Sequence, residues 1–289
     1  MNAGEPPQPR SSERIASVVH HQHGLRRPSD ISEVYGANRD KRTACAAAPV
    51  PTEFGGIVSR TETALIVGAG KGLSASLARL FAAEGMRVAL AARDTSKLKD
   101  LVGETGALAL SYDARQPDDV APLFDRIESA IGAPDLVVYN ASGRYRAAVE
   151  AIEAEKLEDA LKVTAIGGFL VAQAAAVRML ARGSGSILLT GATASVKGLP
   201  GSTPFAMGKF ALRGMAQCMA RELAPKNIHV AHFVIDGGIA SSRPQSDDGS
   251  ADDKWLDPDA IAKEYLHVHR QHRSAWTWEV ELRPWVEKF

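Results

Sequence analysis

Thr63-Ala64-Leu65-Ile66-Val67-Gly68-Ala69-Gly70-Lys71-Gly72-Leu73-Ser74 is an apolar run that breaks into a glycine-rich turn and passes into an amphipathic segment. Leu73, Leu77, Leu80 and Phe81 recur at helical spacing, and Gly85 stands where a helix C′ residue belongs. Arg87-Val88-Ala89-Leu90-Ala91 follows as a second apolar run. Strand, turn, helix and strand in about 30 residues make a βαβ unit. Its turn carries a specific chemistry. Glycines let the backbone approach a pyrophosphate, and the helix N-terminus adds oriented N–H groups and the positive end of its dipole. Gly68, Gly70, Lys71, Gly72 and Leu73 are therefore candidate cofactor-binding residues. A ligand-free tight turn is the competing reading of this stretch alone.

The alternation continues downstream. Leu108 to Tyr112 reads as a third strand ending at Asp113, and Val120, Leu123, Phe124, Ile127 and Ile131 mark the next helix. Leu136 to Tyr139 reads as strand four, ending at Asn140. Leu157, Leu161 and the apolar run from Ile166 give a long buried helix. Ser186 to Thr190 is strand five, Leu212 to Leu223 a helix, and His229 to Ile235 strand six. Repeated βα units with near-continuous apolar strands predict an α/β fold: a single Rossmann-type, doubly wound parallel sheet with helices on both faces. Ligands of such sheets lie beyond the carboxyl ends of the strands. Gly68, Arg93, Asp113, Asn140 and Ala192 fall at or just after those ends.

Residues 1–60 differ in kind. They are rich in Pro, Ser, Arg and His and lack periodicity, so a disordered extension is expected, with one domain over 61–289. The composition fits a start codon assigned too early, the domain itself starting near Val58. Residues 238–257, rich in Ser, Asp and Gly, are expected to form a mobile substrate loop.

Lys plus Arg and Asp plus Glu number 34 each, which gives no global field toward nucleic acid or anionic lipid. No stretch of about 18 uninterrupted apolar residues exists, so no membrane span is expected. Cys45 and Cys218 make no disulfide framework, and a reducing cytoplasm is the expected compartment. No metal site is expected: His267, His269 and His272 do not share one helix face.

From about Thr61 onward the chain resembles the short-chain dehydrogenase/reductase family. The resemblance rests on Gly68-Ala69-Gly70-Lys71-Gly72, Asp113, Asn140-Ala141-Ser142-Gly143, Gly185-Ser186-Ile187, Lys209 and Asp236-Gly237, in that order. It implies a nicotinamide dinucleotide cofactor, with Asp113, Asn140, Ala141, Lys209 and Gly237 joining the turn as cofactor-binding residues, and oxidoreductase activity on a carbonyl/alcohol pair. The family's catalytic Asn, Ser, Tyr and Lys fall at Thr164, Ala192, Phe205 and Lys209. Only the lysine is kept, so the chain resembles an atypical subgroup with Phe in place of the active-site Tyr. One placed acid or base is worth about 10²–10⁴-fold. Thr193, beside Ala192, and Tyr145, after strand four, are the candidate substitutes. The lysine's other family role, binding the ribose, needs no tyrosine.

Strand two ends in Ala92-Arg93 where an NAD-preferring site carries an acid. Arg93, helped by Lys71, suits a 2′-phosphate, so NADP(H) is the expected cofactor. Asp94 next door leaves NAD(H) open. Two functions follow: an NADP(H)-dependent oxidoreductase with a degenerate catalytic set, or a non-catalytic NADP(H)-binding sensor or partner subunit. Trp276, Trp278 and Trp285 are expected to pack a last strand over 278–282 or a subunit interface, and a homodimer or homotetramer is expected.

Overall fold

The computed structural model describes residues 60–240 and 254–286. The expected extension over 1–60, apart from its last residue, and most of the expected loop over 238–257 lie outside the described residues. Seven strands form one sheet: β1 (Thr63–Val67), β2 (Arg87–Ala92), β3 (Leu108–Ser111), β4 (Leu136–Tyr139), β5 (Gly185–Thr190), β6 (Ile228–Ile235) and, near the end of the chain, β9 (Glu279–Leu282). Their order is β3-β2-β1-β4-β5-β6-β9, and every neighbouring pair is parallel. The remaining two strands, β7 (Gly238–Ile239) and β8 (Trp255–Leu256), pair with each other and fix the two ends of the segment between them.

The central strands β2, β1, β4, β5 and β6 are largely apolar and buried because both faces are covered, whereas the edge strand β9 alternates Glu279 and Glu281 with Val280 and Leu282. Along β1, Ala64 and Ile66 face one core and Leu65 and Val67 the other, as a period of two requires. The first core packs α1 (Leu73–Ala83), α2 (Lys99–Thr105) and α7 (Pro258–His269); the second packs α3 (Val120–Ile131), α5 (Gly167–Arg182) and α6 (Thr203–Leu223). A shorter helix, α4 (Ala154–Leu161), runs into α5 through a π turn at Lys162–Ile166. Tyr139 donates a hydrogen bond to the Val163 carbonyl inside that turn, which partners a carbonyl the wider turn displaces.

The doubly wound fold is as the sequence predicts, with boundaries shifted by a residue at β2, β3, β5, β6 and β9. One expectation is corrected. The apolar run from Ile166 is buried on one face only. Val171, Ala172, Ala175 and Met179 sit in the core, whereas Phe169, Val177 and Leu180 are exposed. By length and composition the continuous helical stretch Ala154–Arg182 would suffice to cross a membrane, but the packed face accounts for much of its apolar character.

The chain reverses its winding between β1, which neighbours β2, and β4 on the other side. The connections after those strands lead to helices on opposite faces of the sheet, α1 and α5, which leaves a crevice at its carboxyl edge.

Candidate active site at the switch point

A cleft of about 1130 Å³ occupies this position. Its walls include Gly68, Lys71, Gly72 and Leu73 from the first turn, Arg93 and Asp113 after β2 and β3, and Asn140, Ala141 and Tyr145 after β4. Thr193, Phe205, Lys209 and Gly237 complete it. The sequence-predicted site residues thus converge on one cleft, apart from Gly70, which lies in the same turn but not in the wall.

The first turn has a defined build. Gly72 adopts φ +80° and precedes α1 with no side-chain cap. The first N–H groups of that helix are therefore left for a ligand or water. Gly68 adopts φ +84°, and a Cβ there would meet the Ala141 backbone nitrogen at 2.5 Å, so the two loops can approach only because this residue is glycine. Ser74 stands where the family pattern has its third glycine, and it is more than a tolerated small residue. Its hydroxyl donates to the Gly68 carbonyl at 3.1 Å and accepts from the Asn140 amide at 2.7 Å. Ser74 and Asn140 together tie the turn to the end of β4.

Arg93 is exposed at the end of β2. The neighbouring Asp94 caps a short 3₁₀ turn, accepting from the Ser96 backbone at 3.0 Å and hydroxyl at 2.6 Å, with Lys97 at 3.4 Å. These bonds hold its carboxyl below the usual range. Its side chain is committed to its own loop, and Asp94 does not line the cleft. Asp113 is bound by the Arg115 guanidinium, with a shortest contact of 2.6 Å, and accepts from the Arg115 backbone N–H. That guanidinium keeps the Asp113 carboxyl ionised below its ordinary pKa.

The two substitute hydroxyls proposed from sequence are both engaged. The Tyr145 hydroxyl donates to the Ala151 carbonyl at 3.3 Å and accepts from the Glu153 N–H at 3.1 Å. It ties down the loop before α4. Thr193 Oγ1 donates to the Asp236 carboxylate at 2.6 Å. Each residue lines the cleft, but its proton already has an acceptor. Thr164, at the family asparagine position, is buried in the π turn and accepts from the Gly143 N–H at 2.8 Å. It positions the loop after β4.

Phe205 and Lys209 lie one turn apart on α6, and both are buried. Lys209 is 3% exposed, and its Nζ donates to the Thr190 carbonyl at 2.6 Å. Thr190 is held in turn by a 2.9 Å hydroxyl bond to the buried Tyr265. Burial, with a contribution from the nearby Arg144 charge, pulls the Lys209 amine down to about 7. Arg144 itself escaped sequence reasoning. Its guanidinium lies over the Phe205 ring, 5.6 Å from the centroid, within cation–π range. The only sequence signal was a cation directly after Asn140-Ala141-Ser142-Gly143.

A half-buried polar group, also unpredicted, links α6, β9 and β6. Arg213 from α6 makes a two-point bond to Glu279 of β9 at 2.6 and 2.7 Å, and Glu279 meets His232 of β6 at 3.2 Å. His232 is fully buried, and its Nε2 has no partner among the described residues. Desolvation drives its pKa down to about 4, against the pull of Glu279. The expected helix of histidines ends at His269, which contacts Ser186 and Glu62, whereas His272 lies beyond it, caps a following 3₁₀ turn and contacts Ser274. Trp276 stacks on His229 at 4.6 Å, whereas Trp285 is 80% exposed.

Comparison with known proteins gives a consistent result. The family model described as short chain dehydrogenase matches residues 62–247. A 3-oxoacyl-[acyl-carrier-protein] reductase from Bos taurus is 31% identical over 168 residues, covering 57% of this chain and 70% of the relative. A probable galactose dehydrogenase from Rhizobium meliloti (strain 1021) is 29% identical over 210 residues, covering 71% and 79%. Among solved structures, a short-chain dehydrogenase from Rhodopseudomonas palustris superposes with a TM-score of 0.67 at 35% identity, covering 78% of this chain and 100% of that one.

Proposed function

We propose that this chain, which belongs to the short-chain dehydrogenase family, is an NADP(H)-dependent oxidoreductase acting on a carbonyl/alcohol pair with a reduced catalytic set. The observation that carries the reading is the shared cleft. An uncapped helix N-terminus with Lys71 and Arg93 meets the buried amine of Lys209 across it. The names of the relatives, a reductase and a dehydrogenase, agree with that class of reaction.

The residues present fit a nicotinamide dinucleotide. The α1 N-terminus suits a pyrophosphate, and Arg93 with Lys71 suits a 2′-phosphate. Asp94, the acid that would favour NAD(H), is occupied by Ser96 and Lys97. The bound cofactor supplies or accepts the hydride. The chain must supply the rest: orientation, exclusion of water and one proton on the carbonyl oxygen.

In this reading that proton comes from Lys209 Nζ. Phe205 and Ala192 carry no titratable group, and the Tyr145 and Thr193 hydroxyls are already bonded. An amine lowered to about 7 is matched to neutral pH for general acid–base work. In the reductive direction the ammonium gives its proton to the oxygen as the carbon is reduced. In the oxidative direction the neutral amine takes it back.

The same engaged hydroxyls favour a second reading, a non-catalytic NADP(H)-binding protein. Exposed Phe169, Val177 and Leu180 on α5, with Met207 and Phe210 on α6, support a homodimer or homotetramer within either reading, checked by sedimentation. A cytoplasmic location belongs to the same proposal.

Calorimetric titration of the full chain with NADPH and NADH tests the core of the reading. NADPH should bind, and bind more tightly than NADH. A chain that binds neither is not an oxidoreductase of this type.

A further inference from the structure

We propose that Arg144, seated on the Phe205 ring and joined by Arg146, forms an anion subsite that selects substrates carrying a carboxylate beside the reacting carbonyl. The inference rests on the oxidoreductase reading above and specifies its substrate class.

Charge balance in the cleft is the first ground. The chain as a whole has equal numbers of acidic and basic side chains, but the cleft does not. The two carboxylates in its wall, Asp113 and Asp159, both face Arg115, at 2.6 and 3.7 Å. Lys156, a third cation beyond Arg144 and Arg146 on this side, is paired with Glu153 at 2.7 Å. Among the described residues, Arg144 and Arg146 have no carboxylate partner. Two exposed arginines without a carboxylate partner therefore line one cleft, which favours an anion there.

Position is the second ground. Lys71 and Arg93 follow β1 and β2 on one side of the switch point. Arg144 and Arg146 follow β4 on the other, on the side of the catalytic helix α6. Arg144 and Lys209 both lie over the Phe205 ring, at 5.6 and 5.8 Å from its centroid. The phenyl ring gives the exposed guanidinium an apolar neighbour at 5.6 Å, and a guanidinium is the side-chain cation that matches a carboxylate bidentately. Arg144 also disfavours the charged form of Lys209. A carboxylate docked on Arg144 would offset that effect and help keep the proton on the amine.

Arg144 is here a specificity-determining residue, and the test separates charge from carbonyl chemistry. Pyruvate and phenylglyoxylate, each against its methyl ester, are titrated calorimetrically into the full chain with and without saturating NADP⁺. The acids should bind on the order of 10–100-fold more tightly than the esters, as a charge-assisted guanidinium contact implies. Arg144→Met should abolish that ratio and leave ester and NADPH affinities within about threefold, which also shows that the variant is folded. Arg144→Lys should keep part of the ratio, since charge survives and the planar fork does not. Equal affinity for acid and ester in a chain that binds NADPH overturns the subsite and leaves the oxidoreductase reading standing. An acid preference lost in Arg144→Met, in a chain that binds neither NADPH nor NADH, keeps the subsite and removes that reading. No binding of any probe overturns the subsite.

Discussion

Lys209 Nζ lies 5.8 Å from the centroid of the Phe205 ring, one helical turn away on α6. In the family pattern a phenol would accompany the lysine there. Here the amine faces an apolar ring and bonds only to the Thr190 carbonyl among the described residues. A buried ammonium with a single neutral partner costs stability, so the site carries a strain that function has to justify.

Replacing that amine exposes the cost. Lys209→Met should raise the stability of the full chain at pH 7 by ~1–4 kcal/mol and abolish turnover. Because burial lowers the Lys209 pKa to about 7, the unfolded chain binds the extra proton between that value and the unfolded value. The stabilising effect of the substitution should therefore fade as pH rises toward 10. Chemical denaturation at pH 7 and near pH 10 checks this. A variant less stable at both would contradict it.

Arg93 makes a second prediction. Arg93→Asp should reverse the order of NADPH and NADH affinities, as measured by titration calorimetry. Asp94 cannot take over the new acid's role while it caps its own loop. Unchanged cofactor ratios in the variant would show that Arg93 does not face the ribose.

His232 sets the acid limit. Its pKa is lowered to about 4 by burial, so below the unfolded value near 6.5 the unfolded chain takes up a proton that the native one refuses. Stability should fall as pH drops from about 6.5 to 4, by up to about 3 kcal/mol from this residue alone. His232→Gln should flatten that decline in urea titrations across this range. An unchanged slope would place the acid sensitivity elsewhere.

Tyr145→Phe removes the two loop bonds to Ala151 and Glu153, and each net bond contributes about 1 kcal/mol. Turnover should fall no more than about threefold, while KM rises as the loop before α4 loosens. A loss of the 10²-fold order expected for a placed acid, at unchanged KM, would identify Tyr145 as the proton donor.

The sheet and its order of βα units were legible because the central strands are buried on both faces, and helix spacing separates the strands cleanly. The first turn and Arg93 were legible because strand ends locate them without any contact information, whereas Lys209, in the middle of α6, was legible only through the family resemblance. The rest depends on contacts that spacing does not encode. Thr193 reads as a free hydroxyl until β6 brings Asp236 beside it. Tyr145 reads as a free phenol until the chain turns back through Glu153. Arg144 and Phe205 are 61 positions apart, and only the parallel packing of β4 and β5 with α6 brings the guanidinium over the ring. The Arg213–Glu279–His232 group spans α6, β9 and β6. Neither Arg213 nor Glu279 reads as anything but a surface charge in the sequence.

Steady-state oxidation of NADPH by the unmutated chain, over matched oxo acids and neutral ketones, tests the central claim most directly. The predicted result is turnover of the oxo acids that disappears in Lys209→Met and changes by less than about tenfold in Phe205→Tyr, since Thr164 and Ala192 differ as well and groups that act as a unit are non-additive. NADPH binding without turnover of any carbonyl compound, or turnover that survives the loss of the Lys209 amine, would contradict it.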